Sequence, residues 1–243
     1  MKPVLILQHQ APENAAYLTT WLTQHNVEYC VVNAGAGEQF PNTIDAYSAL
    51  AVMGGGMSAN DDLPSNRQAE QLILQAMEQD RPVIGHCLGG QLMSRALGAQ
   101  VTVAATPEIG WQPIEYADNA MARAWFGDAP TSTVIHWHYD TFAVPLGATL
   151  LASNANCVNQ AWGIGPHLAM QFHIEIDETK INGWVAEDDE KWAAARGLFE
   201  SAQSRQTILD RTANYIAQHQ STADHIYSHW LSTTAWAVDK HSQ

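Results

Sequence analysis

A cysteine flanked by glycines is the strongest chemical signal in the sequence. Cys87 follows a short apolar run, Pro82 to Ile84, and has Gly85 two residues before it and Gly89 two residues after it. A sharp turn from a strand into a helix requires such glycines, because side chains would clash with the crowded backbone. The turn places the thiol at a helix N-terminus, where the dipole and free N–H groups favour the thiolate. We therefore predict that Cys87 is a nucleophile.

A thiol nucleophile needs a base or an ion-pair partner, and a histidine near a carboxylate offers one. His173 and Glu175 follow a strand-like run, and alternate residues of an extended chain point to the same face. A carboxylate beside an imidazole fixes its tautomer and stabilises its charged form. A third motif, Gly54 to Gly56, follows another apolar run, so the backbone there can approach a ligand closely. The ordered set of three motifs predicts acyl-transfer chemistry.

Apolar runs and amphipathic segments alternate through the first hundred residues. The predicted strands are Val4 to Leu7, Glu28 to Val32, Ser48 to Met53 and the run ending at His86. The predicted helices are Glu13 to His25, Pro64 to about Glu78, and Leu88 to Leu97. This alternation predicts an α/β fold with a central, mostly parallel sheet and helices on both faces. Ligands gather at the carboxyl ends of such strands, so we expect the glycines and Cys87 to lie together.

After Gly98 the pattern changes to short strands separated by turn residues, which predicts added antiparallel strands. These strands are Gln100 to Ala104, Trp111 to Tyr116, Thr133 to Trp137, Thr149 to Ser153, Val158 to Trp162 and Leu168 to Phe172. From Glu178 onward the sequence is typical of helices and ends in a segment expected to fray, Asp239 to Gln243. We predict a single domain over residues 1–243 with a helical C-terminal extension from about residue 178.

Composition narrows the class of protein. The 243 residues carry a formal net charge of −14 and only 11 lysines and arginines, so a nucleic-acid-binding surface is not expected. No apolar run approaches the roughly 20 residues that span a bilayer, and the N-terminus lacks a signal-peptide pattern. The three widely spaced cysteines indicate a reducing compartment. We expect a cytoplasmic protein that binds neither nucleic acid nor membranes.

Taken together, the motifs resemble those of class I, or triad, glutamine amidotransferases. That family combines Gly-Gly-Pro after a strand, Gly-x-Cys-x-Gly-x-Gln at the turn, and Phe-His-Pro-Glu. The corresponding segments here are Gly54 to Gly56, Gly85 to Gln91, and Phe172 to Glu175, while His136 to Asp140 is similar to the family's Ser-His-Gly-Asp loop. The resemblance covers roughly residues 1–177. It is greatest to stand-alone members similar to the amidotransferase domain of GMP synthase, a group that includes γ-glutamyl peptidases.

The resemblance implies a flavodoxin-like fold and a role for each matching residue. Cys87 would attack the γ-amide of glutamine or of another γ-glutamyl compound and form a glutamyl thioester. His173, oriented by Glu175, would protonate the leaving amine and then activate water. The oxyanion would be received by N–H groups of Gly55 and Leu88. The implied substrate-binding residues are Gln91, His138, Tyr139 and Asp140. No cofactor and no metal are implied.

Three departures from the family pattern stand out. Gly56 replaces a proline, which should loosen the oxyanion strand, and Ile174 replaces the proline between histidine and glutamate. Tyr139 replaces the glycine of the recognition loop. The part of the substrate beyond the glutamyl group is therefore not specified by the motifs, and Tyr139 marks where it would be found. We expect no fused synthetase, so either a partner synthetase accepts the ammonia or the enzyme is a simple γ-glutamyl hydrolase. The C-terminal helices could form the interface with such a partner or with a second copy of the chain.

Other interpretations of the same residues compete with this one. An α/β-hydrolase would use Cys87, Asp140 and His173 in that order. A regulatory or non-autonomous glutaminase subunit would work only when docked on a synthetase. His136 and His138 share a strand face, but two histidines without a third ligand favour a polar strand edge over zinc. Three further segments are interpreted as a turn, a loop and a solvated helix start, respectively: Glu108 to Trp111, His9 to Gln10, and Glu187 to Glu190.

Overall fold

A mixed sheet forms the centre of the fold in the computed structural model, which describes residues 2–11, 14–187, 189–234 and 236. The described strands number nine and lie in the order β2-β1-β3-β4-β9-β8-β7-β5-β6. They are β1 (Val4–Gln8), β2 (Tyr29–Asn33), β3 (Ala49–Val52), β4 (Val83–His86), β5 (Val101–Tyr116), β6 (Thr131–Phe142), β7 (Thr149–Ser153), β8 (Ala161–Ile164) and β9 (His167–Met170). Strands β2, β1, β3, β4 and β9 run parallel, and the other four extend the sheet in antiparallel pairs.

Helices cover both faces of the sheet. They are α1 (Ala16–Gln24), α2 (Pro64–Glu78), α3 (Leu88–Ala96), α4 (Ala120–Phe126), α5 (Glu178–Ala186), α6 (Glu190–Leu198) and α7 (Arg205–Trp230). Alternate residues of β1 enter opposite cores, because Val4 packs with residues of α1, α4 and α7 while Leu5 packs with residues of α2 and α3. The predicted α/β architecture with added antiparallel strands and a helical C-terminal extension is confirmed.

The C-terminal helices are attached to the antiparallel part of the sheet. A third apolar cluster joins Ile109 and Trp111 of β5 to Ile181 of α5, Trp192 of α6 and Ile208 of α7. This cluster fixes α5 and α6 above the edge where β5 and β6 pair. No helix among the described residues is long and apolar enough to cross a membrane.

Several expected element boundaries differ from the structure. The two strands predicted at Gln100 to Ala104 and Trp111 to Tyr116 are one strand, β5, which continues through a bulge between Val103 and Glu108. Glu108 to Trp111 is therefore not a turn. Helix α4 was not predicted, because its seven residues are too few for a clear apolar period.

Some predicted residues lie outside the described ranges. Glu13 of the first predicted helix is one of them, and the described helix α1 begins at Ala16. Asp188 of the acidic segment Glu187 to Glu190 and the terminal segment Asp239 to Gln243 also lie outside the described residues.

Candidate active site

Cys87 occupies a strained turn between β4 and α3. Its backbone has φ 49° and ψ −108°, a conformation that side-chain-bearing residues rarely adopt. The neighbouring glycines allow the turn, because a Cβ on Gly89 would lie 2.0 Å from the Val52 carbonyl oxygen. A Cβ on Gly90 would likewise lie 2.6 Å from the Met170 carbonyl oxygen. Helix α3 thus begins directly against β3 and β9, and the thiol stands at its N-terminus.

His173 and Glu175 form a buried pair just beyond β9. His173 Nδ1 donates to Glu175 Oε1 at 2.7 Å, and the His173 backbone N–H donates to the Ile135 carbonyl at 3.0 Å. Burial alone would lower the pKa of His173, but the Glu175 carboxylate and the nearby Cys87 thiol outweigh it and raise the pKa to about 10. Burial alone would raise the pKa of Glu175, but the positive charge of His173 holds the pKa of this carboxyl well below its ordinary value.

The fold brings Cys87 and His173 together at Gly54. A Cβ on Gly54 would lie 3.0 Å from His173 Cε1 and 3.7 Å from the Cys87 Cβ, so only glycine leaves both side chains in place. Within the described residues, His173 Nε2 has no hydrogen-bond partner. The thiol itself has two long contacts, with the Trp137 carbonyl and the Gln171 amide, each at 3.7 Å. The second imidazole nitrogen is therefore available to a reacting group beside the thiol.

The two residues predicted to supply oxyanion donors are neighbours in space. A Cβ on Gly55 would come within 3.0 Å of Leu88 Cδ2. As the first residue of α3, Leu88 has a backbone N–H without an intrahelical acceptor. Gly55 follows β3 and Leu88 follows β4, so the parallel pairing of these strands sets their separation.

All four predicted substrate-binding residues line one cavity of about 500 Å³ together with Cys87. Gln91 Nε2 lies 3.4 Å from both the Asp140 carbonyl and Gln171 Oε1, and Asp140 Oδ2 accepts from the Ser58 hydroxyl at 2.8 Å. The expectation that His138 and Asp140 belong to a loop is wrong, because β6 continues through both of them. Pairing with β5 keeps this segment extended.

Glu108 holds His138 in place, although no motif in the sequence pointed to this glutamate. His138 Nε2 lies 3.1 Å from Glu108 Oε2, and its Nδ1 lies 3.1 Å from the Asp140 carbonyl oxygen. The Glu108 carboxylate also accepts from Asn154 at 2.6 Å and from Gln160 at 2.5 Å. Burial tends to raise the pKa of Glu108, but His136, His138 and Asn154 lower it to about 2.

The same network contains a group of three side chains that can be compared with metal sites. Ligand atoms of Glu108, His136 and His138 lie within 4.8 Å of one another. The pairing of β5 with β6 brings Glu108 next to the two histidines, a third potential ligand that the sequence spacing did not show. Burial lowers the pKa of His136 to about 3, so this imidazole is neutral. Hydrogen bonds already satisfy the Glu108 carboxylate, so an ion is not needed to explain the group; the absence of a metal stays a prediction.

Helices α5 and α6 close one side of the cavity with residues that sequence reasoning missed. The Trp184 ring stands edge-on to the His173 ring, with centroids 4.9 Å apart, and also contacts Trp137. Lys191 places its Nζ 3.8 Å from the centre of the Tyr139 ring. Aromatic spacing in a helix is usual for core packing, so the sequence could not distinguish a cavity wall from a core contact.

The alternative triad of Cys87, Asp140 and His173 does not fit this geometry. His173 Nδ1, which would face the acid, is bonded to Glu175, and the Asp140 carboxylate is bonded to Ser58. Glu175 is therefore the carboxylate that orients the imidazole.

Comparison with known proteins agrees with the fold and the order of these motifs. The family model described as Glutamine amidotransferase class-I matches residues 18–188, which is most of the chain. The chain belongs to the class I glutamine amidotransferase family, as its motifs predicted.

Individual relatives differ in how much of each chain is matched. The glutamine amidotransferase-like protein YfeJ of Salmonella typhimurium is 31% identical over 78% of this chain and 82% of its own length. A glutamine-hydrolyzing GMP synthase subunit of Thermoplasma acidophilum is 29% identical over 56% of this chain and 68% of its own length. A crystal structure of a glutamine amido transferase from Methylobacillus flagellatus has 35% identity and a TM-score of 0.91, covering 95% of this chain and 94% of that one.

Proposed function

We propose that the chain hydrolyses the γ-amide of glutamine or of a γ-glutamyl compound through a thioester on Cys87. The observation that carries this proposal is the strained turn at Cys87 beside the buried pair of His173 and Glu175, which are joined at 2.7 Å. A nucleophile, a charged imidazole and an orienting carboxylate in this order are the parts that acyl transfer requires. Family membership supports the same reaction class.

The proposed reaction has two steps. The Cys87 sulfur bonds to the amide carbon, and the carbonyl electrons move to an oxyanion that the N–H groups of Gly55 and Leu88 receive. The oxyanion collapses, the C–N bond breaks, and His173 gives the leaving amine its proton. The neutral imidazole then takes a proton from water, whose oxygen attacks the thioester. Glutamate leaves, and its departure restores the thiolate and the imidazolium.

The glutamyl half of the substrate is assigned to Gln91, His138, Tyr139 and Asp140, which line the cavity around the thiol. The leaving amine must face His173 Nε2, and Trp184 stands against that imidazole. The cavity of about 500 Å³ falls in the range of roughly 300–1,000 Å³ that encloses drug-sized ligands. This volume favours γ-glutamyl amides with a carbon-bearing amine as substrates beside glutamine itself.

A second candidate is a glutaminase subunit that delivers ammonia to a separate synthetase. The observation that favours it is the similarity to the GMP synthase subunit of Thermoplasma acidophilum. The glutamine-hydrolyzing GMP synthase of Bacillus pumilus is 28% identical over 66% of this chain, and only 32% of that longer protein is matched. Under this candidate the isolated chain would turn over slowly until its partner is added.

The deciding experiment measures glutamate release from glutamine and from a panel of γ-glutamyl dipeptides and anilides. Cys87→Ala should abolish release, whereas Cys30→Ala, which changes a cysteine on β2, should leave it unchanged. Mass spectrometry of acid-quenched enzyme should find a glutamyl adduct on the peptide that contains Cys87. Turnover by Cys87→Ala at the wild-type rate would contradict the proposal. Slow turnover of every substrate by the isolated wild type, glutamine included, would favour the second candidate.

A further inference from the structure

The segment after β3 combines backbone freedom with a demand for accurate placement. Gly54, Gly55 and Gly56 are consecutive, and glycine restricts φ and ψ less than any other residue. A backbone donor that stabilises an oxyanion must be aimed closely, because a displacement of about 1 Å can reduce the rate roughly 100-fold. Three glycines in a row do not provide that accuracy by themselves, so a neighbouring group must hold them.

Gln10 makes that contact. The Gly56 backbone N–H donates to Gln10 Oε1 at 2.7 Å, a short bond between two segments 46 residues apart in the sequence. Because the partner is an N–H donor, the carboxamide oxygen of Gln10 faces Gly56. Gln10 was interpreted as a loop residue near the expected ligand position, and it lines the cavity that contains Cys87.

Two structured segments lie next to the backbone of Gln10. It follows β1, which pairs in parallel with β3, and the Met53 N–H donates to the Leu7 carbonyl at 3.0 Å. The loop after β2 presses on it from the other side, since a Cβ on Gly35 would lie 2.6 Å from the Gln10 Cα. Gln10 therefore extends the rigid sheet to the glycine segment.

We propose that Gln10 is a positioning residue that fixes the Gly54–Gly56 backbone and thereby aims the Gly55 N–H at the oxyanion. The assignment of Gly55 rests on the proposed function. Side chains also pack closely against the Gly55 backbone, because a Cβ there would lie 2.6 Å from Met57 Sδ and 3.0 Å from Leu88 Cδ2. Gln10 thus supplies a polar tether for Gly56.

Kinetics of Gln10→Ala test the inference. We expect kcat to fall about tenfold while KM changes by less than about twofold, because the tether acts on the transition state through Gly55. The decrease in kcat is smaller than the one expected from removing an oxyanion donor itself. Gly56→Pro should restore most of kcat in the Gln10→Ala background. Proline fixes φ and removes the N–H that would be left without an acceptor, and the shortened side chain leaves room for its ring. Gln75→Ala is the matched control, because Gln75 lies on α2 outside the cavity lining and its Oε1 accepts from the Ile44 N–H.

Hydrogen exchange supplies a readout that does not depend on turnover. The peptide spanning Met53 to Met57 should exchange faster in Gln10→Ala than in the wild type, and Gln75→Ala should leave that peptide unchanged. Unchanged exchange, or a rise in KM with kcat preserved, would overturn the inference. If the double variant does not fold, the kcat and exchange results of Gln10→Ala decide the question.

The two proposals fail in different ways. Cys87-dependent turnover that Gln10→Ala does not alter would remove the role of Gln10 and leave the proposed function intact. Turnover that survives Cys87→Ala would remove the proposed function, and the exchange measurement would then decide the tether alone.

Discussion

Replacing Glu175 with glutamine should neutralise His173 at physiological pH. The substitution Glu175→Gln keeps an oxygen that can accept from His173 Nδ1, so the geometry of the 2.7 Å hydrogen bond is retained while the negative charge is lost. In the wild type, burial opposes the imidazolium and the Glu175 charge is the largest contribution that favours it. Without that charge only the Cys87 contribution still opposes burial, and the pKa of His173 should fall from about 10 toward its ordinary value of 6.5.

The magnitude follows from the size of the shift. A rise of the His173 pKa from 6.5 to about 10 corresponds to a stabilisation of the imidazolium on the order of 5 kcal/mol. Because the folded pKa is raised, this stabilisation is fully present below pH 6.5 and is lost as the pH rises through about 10. Glu175→Gln should remove most of it, so at about pH 7.5 the variant lacks the acid that protonates the leaving amine. We expect kcat to fall by roughly 10²- to 10⁴-fold.

Nuclear magnetic resonance of protein labelled with [¹⁵N]histidine measures the titration directly. The chain has 11 histidines, and a His173→Gln sample identifies the signal of interest. The control is Glu178→Gln, which neutralises an exposed carboxylate in the first turn of α5. A wild-type His173 that titrates near 6.5, or a Glu175→Gln variant whose His173 still titrates near 10, would refute the electrostatic reasoning.

Two further predictions concern stability. Gly89→Ala should lower the free energy of unfolding, measured in urea, by about 3 kcal/mol, because the added Cβ would clash with the Val52 carbonyl oxygen. As a control, Gly197→Ala on the open side of α6 should raise that free energy by up to about 1 kcal/mol. Glu108→Gln should lower the free energy of unfolding by about 3 kcal/mol near neutral pH, because the folded protein lowers the pKa of this carboxyl from 4.5 to about 2. As a control, Glu115→Gln, at an exposed position of the same strand, should change that free energy little. The stability contributed by the Glu108 charge is present above pH 4.5 and is lost as the pH falls through about 2. The free energies of unfolding of wild type and Glu108→Gln should therefore converge as the pH decreases, and a difference that stays constant with pH would contradict this prediction.

The parallel half of the fold and the turn that carries Cys87 were predictable from the sequence. Helix α2 begins at Pro64 and ends at Glu78 as expected, because proline favours the first turn and the apolar period is clear. The turn at Cys87 was predicted from Gly85 and Gly89, and the structure shows that a Cβ at either position would clash with neighbouring atoms. Local rules were sufficient there, since each motif follows its own strand directly.

The residues around the rest of the cavity depend on contacts between distant segments. Trp184 and Lys191 belong to helices whose docking is set by the third apolar cluster, and no local pattern predicts that placement. The Gln10–Gly56 bond depends in the same way on the pairing of β1 with β3. Sequence reasoning assigned these helices and this loop a location along the chain but no neighbour in space.

Register in the antiparallel half decides which polar groups face the site. Glu108 stands opposite His138, and Gly110 stands opposite His136, so the hydrogen bond between Glu108 and His138 exists only in this alignment. The bulge between Val103 and Glu108 sets the alignment, and a slip by one residue would turn every side chain of β5 to the other face. Glu108 would then lose the donors that hold its charge, and burying a charge without partners is costly. The Glu108 network therefore both specifies the register of β5 on β6 and fixes His138 where the substrate is expected to bind.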